Sequence, residues 1–235
     1  MNMKKLIIIP AFNEANNIEN VFRDIKNNYP CIDVIVINDC STDDTVNILD
    51  KLGINHIDLP VNLGIGGGVQ TGYIYALNNN YDIAVQFDGD GQHDAKYLHS
   101  LISAVESGEA DVAIGSRFVD GQGFQSTVLR RTGIKILSGI IKGLSGVYIK
   151  DVTSGMRAVD RKMIEYYSAN YAQDYPEPEA ILSAGYHGAV IKEIPVEMHE
   201  RISGKSSINA IKSIYYMIKV SLALLLFSAS RGRKQ

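Results

Sequence analysis

Two carboxylates one residue apart follow a short apolar run near the middle of the chain. The run from Asp82 to Phe87 predicts a buried strand, and Asp88 and Asp90 come directly after it. Carboxylates held together at a buried strand end are costly unless a cation or hydrogen bonds neutralise them. Mg²⁺ and Mn²⁺ prefer oxygen ligands and often bridge phosphates. Asp88, Asp90 and the Gln92 amide therefore predict a metal site that takes a diphosphate, and His93 is interpreted as structural.

The same Asp-Gly-Asp-Gly run also suits two other structures, a plain turn and a calcium loop. The EF-hand pattern demands more acidic or amide ligands, a terminal glutamate at a fixed spacing and a helix on either side, which disfavours calcium. The plain turn stays open as an alternative.

Arginines and acids further along the chain form two more candidate sets. Arg117 follows a predicted strand, and Arg130, Arg131 and Arg201 are candidates to converge with it on an anion through their planar, multi-donor guanidinium groups. A surface arginine without a partner is the alternative for each. The run DYPEPE, residues 174–179, carries three acids and two prolines, and its stiffness also suits a structural corner.

The glycine-rich segment from Asn62 to Gly72 raises the question of a phosphate-binding loop. It lacks the Lys-Ser/Thr pair of a P-loop, and in the frame that starts at Gly64 the last place of G-x-G-x-x-G is taken by Val69. A dinucleotide-binding loop is therefore disfavoured. The segment is interpreted as a tight turn between a strand and a helix.

Short β-branched runs alternate with segments of helical periodicity along the chain. Strands are predicted at residues 5–9, 33–38, 55–59, 82–87, 111–116 and 190–196. This alternation predicts an α/β fold with a mostly parallel sheet flanked by helices, in which ligands bind outside the carboxyl ends of the strands. The acidic cluster lies at one of those ends.

Length and composition restrict the class of protein. The chain has 235 residues, of which 46% are hydrophobic, enough for a substantial core. With 23 basic and 26 acidic residues the net charge is -3, so nucleic acid is not expected as a partner. Cys31 and Cys40 are too far apart for a C-x-x-C motif, and the N-terminus has no signal-peptide pattern. We expect a cytoplasmic catalytic part.

The segment 206–235 differs in character from residues 1–205, which we expect to form the catalytic domain. It is mostly apolar between Ile208 and Phe227, but Lys212, Tyr216 and Lys219 recur on one face at helical spacing, and a basic tail follows. A spanning helix needs ~20 predominantly apolar residues, and two lysines in this window favour an amphipathic helix on a membrane surface. Packing on the domain and true spanning are the alternatives.

Seven motifs, in this order, resemble family 2 glycosyltransferases of the GT-A fold, and within them the polyprenyl-phosphate branch typified by dolichyl-phosphate mannose synthases. The resemblance covers about residues 5–207. The motifs are PAFNE at 10–14, NDCSTDDT at 38–45, NLGIGGGVQTG at 62–72, DGDGQHD at 88–94, GSRF at 115–118, TSGMR at 153–157 and RISGKSS at 201–207.

The resemblance implies roles for three sets of residues. The nucleotide set consists of Pro10, Ala11, Glu14, Asp39, Asn62 and Asp88. The acceptor-phosphate set is Arg117, Arg131 and Arg201. The metal set is Asp90 and Gln92 with Asp88 assisting, and the catalytic candidates are Asp88, Asp90, Arg117, Glu177 and Glu179. The family's turn often carries a basic residue where Ile65 and Gln70 are neutral here, which weakens the case for diphosphate binding by that turn.

The resemblance implies an inverting, metal-dependent enzyme that moves a sugar from a nucleotide-sugar, with UDP favoured, to a polyprenyl phosphate. Its cofactor would be Mg²⁺ or Mn²⁺. A phosphate monoester is largely ionised at neutral pH and needs no base, whereas a hydroxyl acceptor needs a carboxylate such as Glu177 or Glu179. A hydroxyl acceptor, a sugar nucleotidyltransferase and a non-catalytic membrane module remain the alternatives. We expect attachment to the inner face of the cytoplasmic membrane, with a small membrane protein as a further candidate partner.

Overall fold

The computed structural model describes residues 3–121, 127–199 and 210–232. The strands are β1 (Lys5–Ala11), β2 (Asp33–Asn38), β3 (His56–Asp58), β4 (Ile83–Gln86), β5 (Val112–Ser116), β6 (Arg157–Asp160) and β7 (Ile191–Pro195). The helices are α1 (Ile18–Asn28), α2 (Thr45–Leu52), α3 (Gly64–Asn78), α4 (Leu98–Glu106), α5 (Val128–Ser145), α6 (Arg161–Asn170), α7 (Pro176–Tyr186) and α8 (Ala210–Gly232).

The seven strands form one sheet in the order β3-β2-β1-β4-β6-β5-β7. All neighbouring pairs are parallel except those of β6, which runs antiparallel to both β4 and β5. One face of the sheet is covered by α3, α5, α6, α7 and α8, and the other by α1, α2 and α4. The predicted α/β fold with a mostly parallel sheet is confirmed.

The central strand β1 is apolar from Leu6 onward because both of its faces are covered. Leu6 and Ile8 belong to the core on one face, while Ile7 and Ile9 belong to the core on the other. The sequence predicted that the strand stops before Pro10, but it continues to Ala11. The pairing with β4 ends at Ile8, so Pro10 has only β2 beside it, and its missing amide donor costs little there.

The glycine-rich segment is part of a helix, so the predicted turn from Asn62 to Gly72 is wrong beyond its first two residues. Helix α3 begins at Gly64, whose φ is +74°, and contains the following glycines. A Cβ at Gly72 would overlap Ile8 on β1, and one at Gly66 would overlap the backbone of Ala172. These glycines therefore let α3 pack closely against the sheet and the loop before α7.

Two further elements differ from the sequence prediction. The acidic run 174–179 is a loop only as far as Tyr175, because α7 starts at Pro176, and proline suits the first turn of a helix. Strand β6 was not predicted. It has four residues, and its apolar content is too small to stand out without knowledge of its neighbours.

The C-terminal helix α8 packs on α5 along one face and exposes the other. Val220 and Leu224 are fully buried, and Gly133 on α5 allows Met217 to approach closely. The outer face is also apolar, with large exposed side chains at Tyr215, Ile218, Leu222, Leu225 and Leu226. Tyr216, expected on the polar face, instead contacts Tyr175, with ring centroids 5.5 Å apart. Among the described helices, none is long and apolar enough to cross a membrane.

Candidate active site

A cleft of about 170 Å³ lies at the carboxyl ends of β1 and β4, beside the start of α3. It is lined by five of the six residues predicted to bind a nucleotide: Pro10, Ala11, Glu14, Asp39 and Asp88. Asp90, predicted as a metal ligand, lines it as well. The fold therefore brings together side chains from three separate motifs, as expected where parallel strands end.

The loops after β1 and β2 are fastened to each other by hydrogen bonds. The Asn13 side-chain oxygen accepts a hydrogen bond from the Thr42 backbone amide at 2.8 Å. The backbone amide of Asn13 donates to the Ser41 hydroxyl at 2.9 Å. The Glu14 amide donates to the Thr45 hydroxyl at 3.0 Å. Asn13 and Cys40 both have positive φ, 57° and 61°, which the surrounding bonds hold in place. The rim of the cleft is thus a fixed frame.

Asp39 is buried at the base of this frame, with 5% of its surface exposed. Its Oδ1 accepts a hydrogen bond from the Leu63 amide at 2.6 Å, and the Asn62 side-chain amide donates to the Asp39 carbonyl at 3.2 Å. The remaining carboxylate oxygen accepts no hydrogen bond from the described residues and is available to a ligand hydroxyl. Asn62 itself is not among the residues that line the cleft, so the structure places it behind Asp39.

The Asp88 carboxylate is held on several sides. His93 Nε2 donates to Oδ2 at 3.1 Å, and Gln86 Nε2 donates to Oδ1 at 3.2 Å. A Cβ at Gly155 would overlap Oδ2, so this segment passes directly against the carboxylate. Burial by itself raises the pKa of Asp88, but the bonds from His93 and Gln86 and the charge of Arg157 outweigh it and hold the pKa below its ordinary value.

Asp90 and Gln92 lie on the turn that follows. Asp90 is 8% exposed, and its Oδ1 accepts a hydrogen bond from the backbone amide of Gln92 at 3.0 Å. The Gln92 side chain donates to the carbonyl of His199 at 3.3 Å, and this contact leaves its carbonyl oxygen for a metal. No three His, Cys, Asp or Glu side chains of the described residues are grouped to hold a metal. A cation here would need ligand oxygens in addition, as Mg²⁺ and Mn²⁺ bound to phosphates commonly do.

Arg117, predicted to hold an acceptor phosphate, is engaged with an acid. It is 7% exposed, and its Nε and Nη2 donate to the two carboxylate oxygens of fully buried Asp151, each at 2.7 Å. Nη2 also donates to the Thr153 hydroxyl at 3.0 Å. This two-point ion pair fixes the guanidinium plane. Asp151 was not singled out from the sequence, since the two residues are 34 positions apart.

Arg130 brings a second positive charge close to that of Arg117. Burial lowers the pKa of Arg130, and the positive charge of Arg117 lowers it further. Asp151, Glu177 and Tyr216 act in the opposite direction but do not offset this effect. Arg130 was a candidate from the sequence to converge on an anion, but the phosphate ligands implied by the resemblance were Arg117, Arg131 and Arg201. Two positive charges therefore adjoin each other between α5 and β5, with the acids Asp151 and Glu177 near them.

The other two predicted phosphate ligands are placed differently. Arg131 lines an adjacent cavity of about 480 Å³ together with Phe118, Lys135, Tyr148 and Lys150. Arg201 lies outside the described residues. The structure therefore brings Arg117 close to Arg130 and gives Arg131 a separate, partly basic surrounding.

The two acids of α7 point to different surroundings. Burial raises the pKa of Glu177, and the charge of Asp88 raises it further, while Arg157 and Arg130 act against this. The charges of Asp88 and of both arginines thus act on Glu177. Glu179 instead lines a cavity formed with Tyr166 and Phe227, and burial and Asp174 raise its pKa. The structure does not bring Glu179 to the Asp88 cluster.

Named relatives cover most of this chain. It is 29% identical to the polyprenol monophosphomannose synthase of Mycolicibacterium smegmatis over 237 residues, covering 93% of this chain and 86% of the relative. It is 30% identical to the UDP-N-acetylglucosamine-dolichyl-phosphate N-acetylglucosaminyltransferase of Methanococcus voltae, covering 81% and 84%.

The fold also matches a solved structure, that of glucosyl-3-phosphoglycerate synthase from Mycobacterium tuberculosis in complex with Mn²⁺, uridine diphosphate and glucosyl-3-phosphoglycerate. The TM-score is 0.70 at 20% identity, with 97% of this chain and 80% of that chain covered. The model of the family described as glycosyl transferase family 2 matches residues 6–168. The chain therefore belongs to glycosyl transferase family 2.

Proposed function

We propose that this protein transfers a sugar from a nucleoside-diphosphate sugar to a polyprenyl phosphate of the undecaprenyl or dolichyl type at a membrane surface. The named relatives described above act on polyprenyl or dolichyl phosphates, and the family uses nucleotide-sugars. Three regions of this chain support the proposal: the acidic cleft, the arginines beside it, and the apolar face of α5 and α8.

The cleft supplies the donor site. One carboxylate oxygen of Asp39 accepts no hydrogen bond from the described residues, so it suits a hydroxyl of the ribose or an N–H group of the base. The fixed frame of Asn13 and Thr42 holds the cleft open. Uracil is favoured as the base because the matching solved structure contains uridine diphosphate. The volume of about 170 Å³ fits part of a nucleotide, so the sugar would lie toward Asp88 and the arginines.

A divalent cation fits the donor set of the cleft. Asp88 and Asp90 offer carboxylate oxygens, and the pKa of Asp88 below its ordinary value keeps that group ionised. Asp88, Asp90 and the Gln92 amide would hold Mg²⁺ or Mn²⁺ together with the donor's phosphates. When bound, the cation neutralises the negative charge that develops on the departing nucleoside diphosphate.

The observation that carries the acceptor assignment is the proximity of Arg117 and Arg130. Their positive charges repel each other, although Asp151 is paired with Arg117 and the charges of Asp151 and Glu177 attract Arg130. A bound phosphate anion would relieve this repulsion. Arg130 also lines an almost wholly apolar groove between α5 and α8, of about 360 Å³, so a ligand with a charged head and a hydrocarbon tail suits this place.

The exposed apolar face supports docking on a lipid surface. Four large apolar side chains are 55–70% exposed: Ile136 on α5 and Ile218, Leu222 and Leu226 on α8. Their apolar surface faces outward and does not pack on the domain, which marks an interaction surface. Lys219 lies on the same helix, and cationic side chains beside an apolar face favour anionic lipid. We place this face on the inner leaflet of the cytoplasmic membrane.

The proposed reaction forms one bond and breaks one. An oxygen of the polyprenyl phosphate attacks the anomeric carbon, the bond from that carbon to the donor's diphosphate breaks, and the configuration inverts. The phosphate oxygen is already ionised at neutral pH, so no proton has to be removed. Arg117 and Arg130 orient the nucleophile.

A hydroxyl acceptor is the second candidate function, and one observation favours it. The charges of Asp88 and Arg130 both act on Glu177, and its raised pKa is a property of many general bases. A hydroxyl nucleophile would depend on this carboxylate, whereas a phosphate nucleophile would not.

The test is transfer of label into lipid. Purified protein is incubated with a panel of radiolabelled UDP- and GDP-sugars, Mn²⁺ or Mg²⁺, and either undecaprenyl phosphate or undecaprenol, and the mixture is extracted into organic solvent. We expect label in the organic phase with the phosphate and none with the alcohol, and none with Asp90→Ala. Transfer to the alcohol alone would overturn the proposal in favour of the hydroxyl reading.

A further inference from the structure

We infer that Gln86, Tyr171 and Arg157 are positioning residues, which hold the Asp88 carboxylate in the orientation that binds the metal–nucleotide donor. This inference rests on the proposed function in one respect, the role given to Asp88. None of the three residues lines the cleft, and each is at least 95% buried on the face of the sheet that carries α3, α6 and α7.

Strand geometry puts Gln86 and Asp88 on the same side. Successive side chains of a strand alternate between faces, so residues two apart point the same way. Val85 and Phe87 belong to the core on one face, while Ala84 belongs to the core on the other. Gln86 and Asp88 therefore point toward the second core, and Gln86 Nε2 reaches Asp88 Oδ1 at 3.2 Å.

Tyr171 decides which end of the Gln86 amide faces the carboxylate. Its hydroxyl donates to Gln86 Oε1 at 3.2 Å, and burial raises the pKa of Tyr171 well above its ordinary value, so the proton stays on the oxygen. An amide whose oxygen is held in this way must present its NH₂ group to the other side. Without the hydroxyl, a flipped amide would place an oxygen against the negatively charged Asp88.

Arg157 supplies a fixed positive charge behind the same carboxylate. It is directly opposite Gln86 in the antiparallel ladder of β4 and β6, so the two side chains share a face. Arg157 is fully buried and donates to the Ser154 carbonyl at 2.8 Å, while its Nε and Nη1 have no hydrogen-bond partner among the described residues. A buried guanidinium with two unpaired donors is costly for the fold. Because Arg157 faces Gln86, its buried positive charge lies on the side of the sheet toward which the Asp88 carboxylate points.

The buried amide of Gln86 is likewise costly for the fold. Gln86 is 0% exposed in a strand whose other positions are apolar, and a hydrophobic side chain of similar size would avoid the desolvation of an amide. Its hydrogen bonds go to Tyr171 and Asp88, and neither is needed by the sheet ladder. The polar group is therefore explained by the carboxylate that it orients.

The three neighbouring tyrosines provide a matched experiment. Tyr73, Tyr167 and Tyr171 pack on one another with ring centroids 5.2–5.4 Å apart. The Tyr171 hydroxyl donates to Gln86, and the Tyr167 hydroxyl donates to the Ala180 carbonyl at 2.9 Å. The Tyr73 hydroxyl has no hydrogen-bond partner in the part of the chain that the structure describes. Each is replaced by phenylalanine in the full chain, and the binding of UDP in the presence of Mn²⁺ is measured by calorimetry, together with Tm and the Mn²⁺ EPR spectrum.

Tyr171→Phe is expected to weaken Mn²⁺-dependent UDP binding about threefold, and Gln86→Met, which removes the bond to the charged carboxylate, about tenfold or more. Both should alter the EPR spectrum of the bound ion. Tyr73→Phe should leave binding and spectrum unchanged, and Tyr167→Phe should lower Tm without changing either. A merely structural role would instead make Tyr167→Phe and Tyr171→Phe behave alike.

Asp88→Asn tests whether Asp88 binds the metal and nucleotide, independently of whether Gln86 and Tyr171 position it. If Asp88→Asn loses Mn²⁺-dependent binding while Tyr171→Phe and Gln86→Met bind like the original protein, the positioning network is refuted and the role of Asp88 stands. If Asp88→Asn binds like the original protein, both are overturned.

Discussion

Replacing Gly155 with alanine is expected to displace the Asp88 carboxylate and to impair donor binding. A Cβ at position 155 would overlap Oδ2 and would lie 2.8 Å from Oδ1 and 2.9 Å from Cγ, whereas real Cβ atoms essentially never approach other atoms within 3.0 Å. The carboxylate cannot rotate away freely, because His93 and Gln86 hold its two oxygens. Either the carboxylate or the segment that carries Gly155 has to move.

The size of the effect follows from this geometry. Restoring ordinary contact distances requires a shift of roughly 1 Å, and a misplacement of about 1 Å in a catalytic arrangement can reduce turnover about 100-fold. Overpacking of a buried site costs about 1–3 kcal/mol, and in a chain of this size each kcal/mol lowers Tm by about 2–4 °C. We expect Gly155→Ala to combine a Tm decrease of several degrees with a 10- to 100-fold loss of kcat/KM for the nucleotide-sugar.

The assay pairs thermal unfolding with donor kinetics, and Gly139→Ala is the control. Gly139 is in the interior of α5, where an added Cβ meets nothing within 4 Å, so alanine there should raise stability by about 0.5–1 kcal/mol and leave the kinetics unchanged. If Gly155→Ala keeps the original Tm and the original kcat/KM, then the Asp88 carboxylate is not confined as described, and the reasoning is wrong.

Three further predictions concern the acceptor side and the membrane. Glu177→Gln should keep substantial turnover with a polyprenyl phosphate, and a collapse by several orders of magnitude would indicate a base for a hydroxyl. Because burial raises the pKa of Glu177, its charged form costs stability only as the pH rises above the ordinary value near 4.5, so Glu177→Gln should raise Tm at pH 7 but not at pH 4. Arg130→Gln should raise the KM for the polyprenyl phosphate about tenfold and leave the donor KM unchanged, since it removes one charged contact; equal changes in both would contradict its place at the acceptor. The double change Leu222→Asp and Leu226→Asp should abolish sedimentation with anionic vesicles, whereas Leu52→Asp on the opposite layer should not.

The sequence predicts those parts of the cleft that depend on local pattern. Short apolar runs identified the buried strands, and polar residues that directly follow such runs had to meet at one edge of the sheet. This is why Asp88 and Asp90 were expected at that edge, whereas the resemblance to family 2 glycosyltransferases added Pro10 and Asp39; all four line one cleft. The glycines of α3 were misread because a glycine that permits a turn and a glycine that permits close packing are alike in one dimension, and only the position of Ile8 distinguishes them.

The contacts that hold the side chains in place were not predictable in the same way. Tyr171 is 85 residues from Gln86, and Asp151 is 34 from Arg117. No local periodicity links such pairs, and the antiparallel strand β6, which places Arg157 opposite Gln86, was itself too short to recognise. The residues that line the cleft are thus predictable from motifs, whereas the residues that hold them in place depend on the tertiary fold.

Charges of alternating sign connect the donor cleft with the acceptor side. Asp88 is influenced by Arg157, Arg157 by Glu177, and Glu177 by Arg130, so each buried charge has an opposite neighbour. The alternation is interrupted at Arg130, because the positive charge of Arg117 acts on it in addition to the acids Asp151 and Glu177. A bound acceptor phosphate would complete the series, and it would do so next to the apolar groove between α5 and α8. We therefore expect an anionic lipid headgroup to bind beside Arg130, where two positive charges adjoin each other at the apolar groove.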